Sequence, residues 1–141
     1  MYPFCDPAWY EWYPDVSHDF ANITFKAGDV VNIYVNTTSP ATGVAVIENL
    51  TQNTTVTQDM SGPALCLQDA EWIVEDFQAG DTPVPFADFD VVAFDNATAI
   101  TAYGTAVGPD GDDAVTVEIY LDGKVVTQVN STATSVIVTY V

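Results

Sequence analysis

The sequence has 141 residues, 48% of them hydrophobic and 12% aromatic, which is enough apolar material for the core of one domain and too short to suggest a second. Its 20 acidic residues outnumber two basic ones, and the formal net charge of −18 excludes a basic surface for nucleic acid or an anionic membrane. Val and Thr are abundant, and no long segment has a 3.6-residue apolar period. We therefore predict a single all-β domain over residues 1–141.

Short segments of alternating character, separated by turn residues, follow one another along the chain. We predict strands at Ala8–Tyr13, Ile23–Phe25, Val30–Asn36, Gly43–Leu50, Thr54–Gln58, Glu71–Phe77, Val91–Asp95, Thr98–Tyr103, Val115–Leu121, Lys124–Asn130 and Ser135–Tyr140. Turns are expected at residues 27–29 and 51–53, and Asp122-Gly123 is a type I′ hairpin signal. Many short antiparallel strands at this spacing indicate a β-sandwich or jelly roll.

The asparagines indicate the compartment. All but Asn32 begin an N-x-[ST] sequon, which favours passage through a secretory pathway, and the candidate glycosylation sites are Asn22, Asn36, Asn49, Asn53, Asn96 and Asn130. Yet the residues after Met1 lack the basic and apolar regions of a signal peptide, and no apolar run could span a bilayer. We therefore expect a secreted protein whose N-terminal part is missing from this sequence.

The predicted strand Ala8–Tyr13 carries a carboxylate among large aromatic side chains. Residues two apart in a strand share a face, so one face carries Trp9, Glu11 and Tyr13 and the other carries Tyr10 and Trp12. One face can therefore pack on a core while the other presents Glu11 beside two aromatic rings. That arrangement suits a concave site, although Glu11 on the wet face of a half-buried strand is an equally simple interpretation.

The predicted strand Glu71–Phe77 has the same character. Alternation places Trp72 and Val74 on one side, and the opposite side carries Glu71, Ile73, Glu75 and Phe77. Glu75, like Glu11, is either a solvated carboxylate or one poised for acid–base chemistry, and the pattern leaves both interpretations open.

Five segments narrow this choice: WYEWYPDVSHDF (Trp9–Phe20), ENLT (Glu48–Thr51), AEWIVEDF (Ala70–Phe77), VPFADF (Val84–Phe89) and VTYV (Val138–Val141). In their order and spacing they resemble the eqolisin, or glutamic peptidase, family over about residues 8–141. The resemblance implies an antiparallel β-sandwich of jelly-roll or concanavalin-like type, here lacking its first strands. It also implies a Gln–Glu dyad that cleaves protein substrates at acid pH without a metal or other cofactor.

The resemblance assigns roles to particular residues. It makes Glu75, rather than Glu71, the catalytic Glu, and it matches Trp9, Glu11 and Tyr13 to positions that line the same cleft. The catalytic Gln of the family lies in an ILQTG-like segment upstream of the WYEWYP motif, and this sequence has no such segment. We therefore expect the chain alone to be inactive and to associate through exposed sheet edges.

The two cysteines, Cys5 and Cys66, would permit one disulfide in a secreted protein. In the family, however, the cysteine at the position of Cys66 is expected to pair with one upstream. On the strength of that resemblance we expect Cys5 and Cys66 not to be bonded to each other.

Two other functions remain open. The first is an inactive module whose aromatic cleft binds peptide or glycan without cleaving it. The second is a sandwich-fold glycosidase, for which Glu11 with Glu75 is a possible pair, whereas Glu71 and Glu75 on one strand would be about 13 Å apart, too far for either glycosidase mechanism. Ser17-His18-Asp19 has the letters of a catalytic triad, but successive strand residues face opposite sides and could not act together.

Overall fold

The computed structural model describes residues 8–79 and 82–141, and all regular structure in these ranges is β-strand. The strands are β1 (Trp9–Tyr10), β2 (His18–Asp19), β3 (Val31–Ser39), β4 (Thr42–Asn49), β5 (Thr54–Ser61), β6 (Gln78–Ala79), β7 (Thr82–Pro83), β8 (Val91–Asp95), β9 (Ala99–Ile100), β10 (Ala106–Val107), β11 (Tyr120–Leu121), β12 (Lys124–Val125), β13 (Thr127–Thr132) and β14 (Ser135–Tyr140). Every pairing is antiparallel, and the prediction of an all-β protein is confirmed. The described part of the chain has no helix long and apolar enough to cross a membrane.

The chain divides into two compact units that join between Gln68 and Asp69. In the first unit, β3, β4 and β5 form an antiparallel sheet in that order. Its register places Ile47 of β4 between Ile33 of β3 and Val56 of β5. The prediction of a single domain stays a prediction.

The core of the first unit lies against β4. Its buried members are Phe20, Ala45 and Ile47, and the half-buried side chains packed on them are Ala8, Tyr10, Ile23, Phe25, Val31, Val56 and Met60. The alternation of β4 produces this core, because every second side chain of the strand is buried. The segment of residues 8–25 thus packs over one face of the sheet.

Trp12 fills a second apolar site in the first unit. Its side chain is 8% exposed, and the indole Nε1–H donates a hydrogen bond of 2.9 Å to the carbonyl of Pro63. Two glycines leave room for the ring: a Cβ on Gly62 would overlap the indole, and one on Gly43 would lie 3.3 Å from its Cζ3 atom. The indole therefore requires glycine at position 62 and packs closely against Gly43.

The second unit is built on the antiparallel sheet β13-β14-β8. Val138 of β14 pairs with Val129 of β13 and Val92 of β8. The buried core contains Ala97, Val136 and Val138, with Trp72, Val74, Phe89, Phe94 and Val129 packed on it. Two-stranded ribbons complete this unit, namely β6–β7, β9–β10 and β11–β12.

The Asp122-Gly123 hairpin is confirmed. Leu121 pairs with Lys124, and the φ angles of Asp122 (47°) and Gly123 (82°) are both positive, as a type I′ turn requires. The predicted bounds of β8 and β14 match the structure to the residue.

Five predicted strands are wrong in whole or in part, and a sixth, Lys124–Asn130, is divided between β12 and β13. Ile23–Phe25 and Glu71–Phe77 contain no strand. Ala8–Tyr13 is a strand only in β1, Thr98–Tyr103 only in β9, and Val115–Leu121 only in β11. These segments keep alternating or partial burial, but over their remaining residues the described chain supplies no ladder of backbone hydrogen bonds. A strand is defined by that ladder, so an alternating pattern alone overestimates strand length.

Candidate functional site

The side chains of residues 9–13 sort as the alternation predicts. Tyr10 packs edge-on against Phe20 with ring centroids 4.9 Å apart, and Trp12 is buried. On the other side, Trp9 and Tyr13 are exposed and Glu11 is half-buried. One face therefore anchors the segment to the core of the first unit, while the predicted cleft residues face away from that core.

The segment of residues 71–77 sorts in the same way although it is not a strand. Trp72 and Val74 are half-buried against the core of the second unit. The side chains on the opposite side are all exposed: Glu71, Ile73, Glu75 and Phe77. The anchored residues thus hold Glu75 at the surface beside two exposed apolar side chains. Glu11 and Glu75 belong to different units, and the prediction that they share one groove stays a prediction.

A shallow groove of about 170 Å³ lies in the first unit. Its lining comprises Tyr10, Trp12, Asp15, Val16, His18, Gln58, Asp59, Met60 and Ser61, and it includes none of the predicted site residues. His18 packs against Tyr10 with centroids 5.6 Å apart, whereas Asp19 pairs with Trp9. Neighbouring residues of Ser17-His18-Asp19 therefore associate with opposite faces of the strand pair, which supports the rejection of a triad.

A polar network that the sequence did not reveal joins the two predicted turns of the first unit. The Asp29 carboxylate accepts hydrogen bonds from Asn49 Nδ2 (2.8 Å), Gln52 Nε2 and the Lys26 backbone N–H (2.9 Å). Asn49 Nδ2 also donates to the Thr24 carbonyl (3.1 Å), and its Oδ1 accepts from the Gln52 N–H (3.0 Å). The only signal was the turn residues themselves, since Asp and Asn side chains commonly bond nearby backbone groups.

These contacts shift the acid strength of Asp29. Hydrogen bonding from Asn49 first, then from Gln52 and Lys26, lowers the pKa of Asp29 below its ordinary value of 3.8, against an opposing effect of partial burial. A carboxyl group with a lowered folded-state pKa stabilises the fold above its unfolded-state pKa. That contribution is lost as the pH falls through the folded-state value.

We therefore expect Asp29→Asn to lower the unfolding midpoint at pH 5 to 7 and to have a diminishing effect below about pH 3.8. Urea unfolding of wild type and variant at several pH values measures this. Asp112→Asn, in the exposed turn of residues 108–113, is the matched control and should show no such pH-dependent difference. An Asp29→Asn effect that grows as the pH falls would contradict the assignment.

The candidate glycosylation sites differ in accessibility. Asn22, Asn36, Asn53, Asn96 and Asn130 are exposed. Asn49 is 1% exposed, and Nδ2, the atom that would carry a glycan, already donates to Thr24 and Asp29. A glycan on this nitrogen would replace one of its two N–H groups and so remove one of these two hydrogen bonds. It would also have no space in the folded unit, because Asn49 is buried.

We expect Asn49 to be unmodified when the chain is secreted from a yeast host, as glycopeptide mass spectrometry can measure. Asn49→Ala is expected to destabilise the fold by about 1–3 kcal/mol, because it removes the hydrogen bonds of a buried side chain to Thr24, Asp29 and Gln52. Asn36→Ala, at an exposed sequon, is the control and should cost little. High glycan occupancy at Asn49 in folded protein would contradict the burial argument.

The Cys66 side chain is exposed and its thiol is bonded to none of the described residues, and Cys5 lies outside them. The prediction that these two cysteines do not pair stays a prediction. Within residues 8–79 and 82–141, no group of three or more His, Cys, Asp or Glu side chains has an arrangement that could hold a metal ion.

Known peptidases are similar to this chain over nearly its whole length. The Peptidase A4 family matches residues 7–140. Aspergillopepsin-2 from Aspergillus niger is 49% identical in an alignment of 137 residues that covers 95% of this chain and 48% of that protein. The crystal structure of aspergilloglutamic peptidase from Aspergillus niger superposes with a TM-score of 0.78 at 48% identity, covering 96% of this chain and 79% of that one.

A second solved structure is more distant in sequence. Scytalido-glutamic peptidase, crystallised with a transition state analog inhibitor, has a TM-score of 0.77 at 36% identity, covering 96% of this chain and 69% of that one. The chain spans about half the length of aspergillopepsin-2.

Proposed function

The chain belongs to the Peptidase A4, or eqolisin, family, and from this premise we propose that it is the Glu75-bearing part of an endopeptidase that cleaves proteins at acid pH. The predicted family and the predicted antiparallel β-sandwich class are both confirmed by these relatives. Because the matched relatives are peptidases, hydrolysis of peptide bonds is the activity that the relationship supports. The observation that carries the proposal is the AEWIVEDF segment of residues 70–77, which lies within the family match.

Glu75 is the proposed general acid and base. Its carboxylate would take a proton from a water molecule that attacks the scissile carbonyl carbon, and would then give that proton to the leaving nitrogen. The exposed position of Glu75 leaves room for substrate and water, while Trp72 and Val74 fix the segment to the core behind it. This separation of anchoring and reacting side chains is what a positioned catalytic group needs.

In the family a Gln amide is the expected partner, donating a hydrogen bond to the oxyanion that forms on the substrate carbonyl. None of the glutamines in this chain lies in an ILQTG-like segment. They are Gln52, Gln58, Gln68, Gln78 and Gln128. One oxyanion donor typically contributes about 10²–10³ in rate. We therefore propose that activity requires this donor from a longer form of the protein.

The proposed substrate is an extended peptide that contacts Trp9, Glu11 and Tyr13. The two exposed aromatic rings supply apolar contact area, and Glu11 supplies a hydrogen-bond acceptor between them. Scytalido-glutamic peptidase has been solved with a peptide based transition state analog, which supports a peptide as the class of ligand. The same exposed rings favour the second candidate, a module that binds peptide without cleaving it.

The net charge and the sequons support secretion and activity at acid pH. With 20 acidic and two basic residues, self-repulsion is severe at pH 7 and falls near pH 3, because reference carboxyl pKa values are about 4. Five exposed sequons suit a secreted glycoprotein. We propose secretion and an acid working pH on these grounds.

A chimera tests the proposal. This chain would replace the matched 137 residues of aspergillopepsin-2, so that the remaining part of that enzyme supplies the missing donor. We expect the chimera to cleave acid-denatured protein near pH 3 and the chain alone to be slower by at least about 10²-fold. A folded but inert chimera that still binds a peptide-based transition-state analogue would favour the binding module. Robust cleavage by the chain alone would show that another residue replaces the Gln.

A further inference from the structure

An aromatic residue lies two positions before the asparagine in three of the sequons. The pairs are Phe20 with Asn22, Tyr34 with Asn36, and Phe94 with Asn96. The Phe20 ring is buried in the core of the first unit, and Phe94 packs on the core of the second. The Tyr34 side chain, in contrast, is 52% exposed. Of these three rings, only that of Tyr34 is therefore accessible to a group attached to its sequon.

The backbone separates the same three sequons. Asn36 lies inside strand β3, where residues two apart share a face, so its side chain emerges beside that of Tyr34. Asn22 and Asn96 have positive φ angles of 65° and 55°, and the chain turns at each of them. The combination of an accessible ring and a shared strand face thus occurs at Asn36.

Tyr34 and Asn36 lie on the face of the sheet opposite the core. The register places Tyr34 opposite Val46 and Asn36 opposite Val44. Both valines are half-buried, whereas the residues that alternate with them on β4 are buried on the core side. These four residues form what we call the Tyr34 patch, an apolar area with a sequon asparagine at one end.

The surroundings of the Tyr34 patch suit solvent or sugar rather than a further layer of protein. Glu48 follows Val46 on the same face, and its carboxylate accepts a hydrogen bond of 3.3 Å from Asn32 Nδ2. On the neighbouring strand β5, the exposed Thr55 and Thr57 lie opposite Glu48 and Val46. Covering a carboxylate and two hydroxyl groups with apolar protein is costly. The remainder of a longer protein is therefore expected to leave this face open.

The Tyr34 ring is already held in place. Asn32 Nδ2 donates a hydrogen bond of 3.2 Å to the Tyr34 hydroxyl, in addition to the one that it donates to Glu48. The hydroxyl end of the ring therefore lies toward Asn32, away from Asn36. Alternate residues of a strand are separated by about 6.6 Å, a distance that one sugar ring on Asn36 can bridge. A ring that is already fixed loses little conformational entropy when a sugar packs on it.

We propose that Asn36 carries an N-linked glycan whose first N-acetylglucosamine packs on the Tyr34 patch, so that the glycan stabilises the first unit. The pyranose ring presents C–H groups on one face, and these suit the electron-rich face of an aromatic ring. The inference rests on the proposed secretion, because the sugar donor is a lipid-linked oligosaccharide pyrophosphate of the secretory pathway. A bond forms between Asn36 Nδ2 and C1 of the sugar, the bond from C1 to the pyrophosphate oxygen breaks, and Nδ2 loses one proton as the lipid pyrophosphate leaves.

Asn130 provides a matched comparison. Like Asn36, it is an exposed residue within an edge strand, here β13, and its sequon also ends in Thr. The residue two positions earlier is Gln128, which offers no aromatic ring. A glycan at Asn130 should therefore add bulk and solubility but little stability.

Thermal unfolding of the full chain, secreted from yeast behind a heterologous signal peptide, tests the proposal whether or not the natural protein is secreted. Endoglycosidase H trims each glycan to a single N-acetylglucosamine, which retains the proposed contact. We expect glycopeptide mass spectrometry to find Asn36 occupied, and the trimmed wild type to unfold about 2–4 °C above trimmed Asn36→Gln. Asn130→Gln should shift the midpoint by less than about 1 °C. An unoccupied Asn36, or equal shifts from the two variants, would overturn the proposal.

Two further comparisons assign the effect to the contact between sugar and ring. In a Tyr34→Thr background, Asn36→Gln should no longer lower the midpoint, and an undiminished shift there would contradict the proposed contact. In chains made in bacteria, which add no N-glycan, Asn36→Gln should unfold at the wild-type temperature, because the exposed amide itself contributes little. An equal loss in both hosts would overturn the role of the sugar. An inert aspergillopepsin-2 chimera with the glycan effect intact would instead count against the peptidase proposal alone.

Discussion

Replacing Trp12 with alanine is expected to lower the free energy of unfolding by about 3–5 kcal/mol, as truncation of a large buried aromatic side chain usually does. The indole is 8% exposed, and its removal leaves a cavity beside Gly43 and Gly62. Neither glycine has a side chain that could fill this cavity. The Pro63 carbonyl also loses its hydrogen bond from Nε1. Urea unfolding at pH 5 measures the loss, which is large against the 5–15 kcal/mol total stability of a typical domain.

Trp9→Ala is the matched control, because it removes the same side chain three residues earlier. Trp9 is 52% exposed and turned away from the core of the first unit, so its truncation should cost much less. Gly62→Ala tests the same packing from the other side, since the added methyl group would overlap the indole. Equal destabilisation by Trp9→Ala and Trp12→Ala would mean that the alternation of this segment does not determine its packing.

Period-two alternation predicted which side chains turn toward the cores more reliably than it predicted strands. It separated Tyr10 and Trp12 from Trp9, and Trp72 and Val74 from Glu75, although residues 71–77 contain no strand. The side of the segment on which a side chain lies depends on local extended geometry, and the pattern of apolar residues indicates that geometry. Strand assignment also requires a partner backbone at the correct distance, and the sequence of one segment contains no information about its partner.

Turn chemistry was predictable where the backbone conformation demands a particular residue. Asp122-Gly123 fixes its hairpin because both residues must adopt positive φ. The network of Asp29, Asn49 and Gln52 was not predictable, since it joins residues about 20 positions apart whose sequence pattern indicates only two separate turns. For the same reason, the sequence did not distinguish Asn49 from the other five sequon asparagines. The structure does, because Asn49 is buried and the other five are exposed.

The candidate site came from family motifs more than from the alternation pattern. Alternation proposed Glu11 and Glu75 as carboxylates among apolar neighbours, and it placed Glu71 on the same face as Glu75. Only the resemblance distinguished Glu75 from Glu71, and both side chains are exposed on the same side of their segment. This pair is therefore the most informative place to test the function.

Glu75→Gln is expected to reduce peptidase activity by about 10²–10⁴-fold in the aspergillopepsin-2 chimera, because an amide cannot take up and return the proton of the attacking water. The substitution preserves the size of the side chain, and the exposed position should make its effect on folding small. Glu71→Gln makes the identical change four residues earlier on the same exposed side. Its activity should stay within a few-fold of the unsubstituted chimera.

The role of Glu75 as general acid and base is tested by the ratio of kcat/KM between Glu75→Gln and Glu71→Gln, measured on acid-denatured protein at about pH 3. Both variants should unfold at the same urea concentration as the unsubstituted chimera, so that activity alone separates them. If Glu75 is the general acid and base, the Glu71→Gln chimera will be faster by about 10²-fold or more. Equal activities, or a larger loss in Glu71→Gln, would contradict the assignment of Glu75.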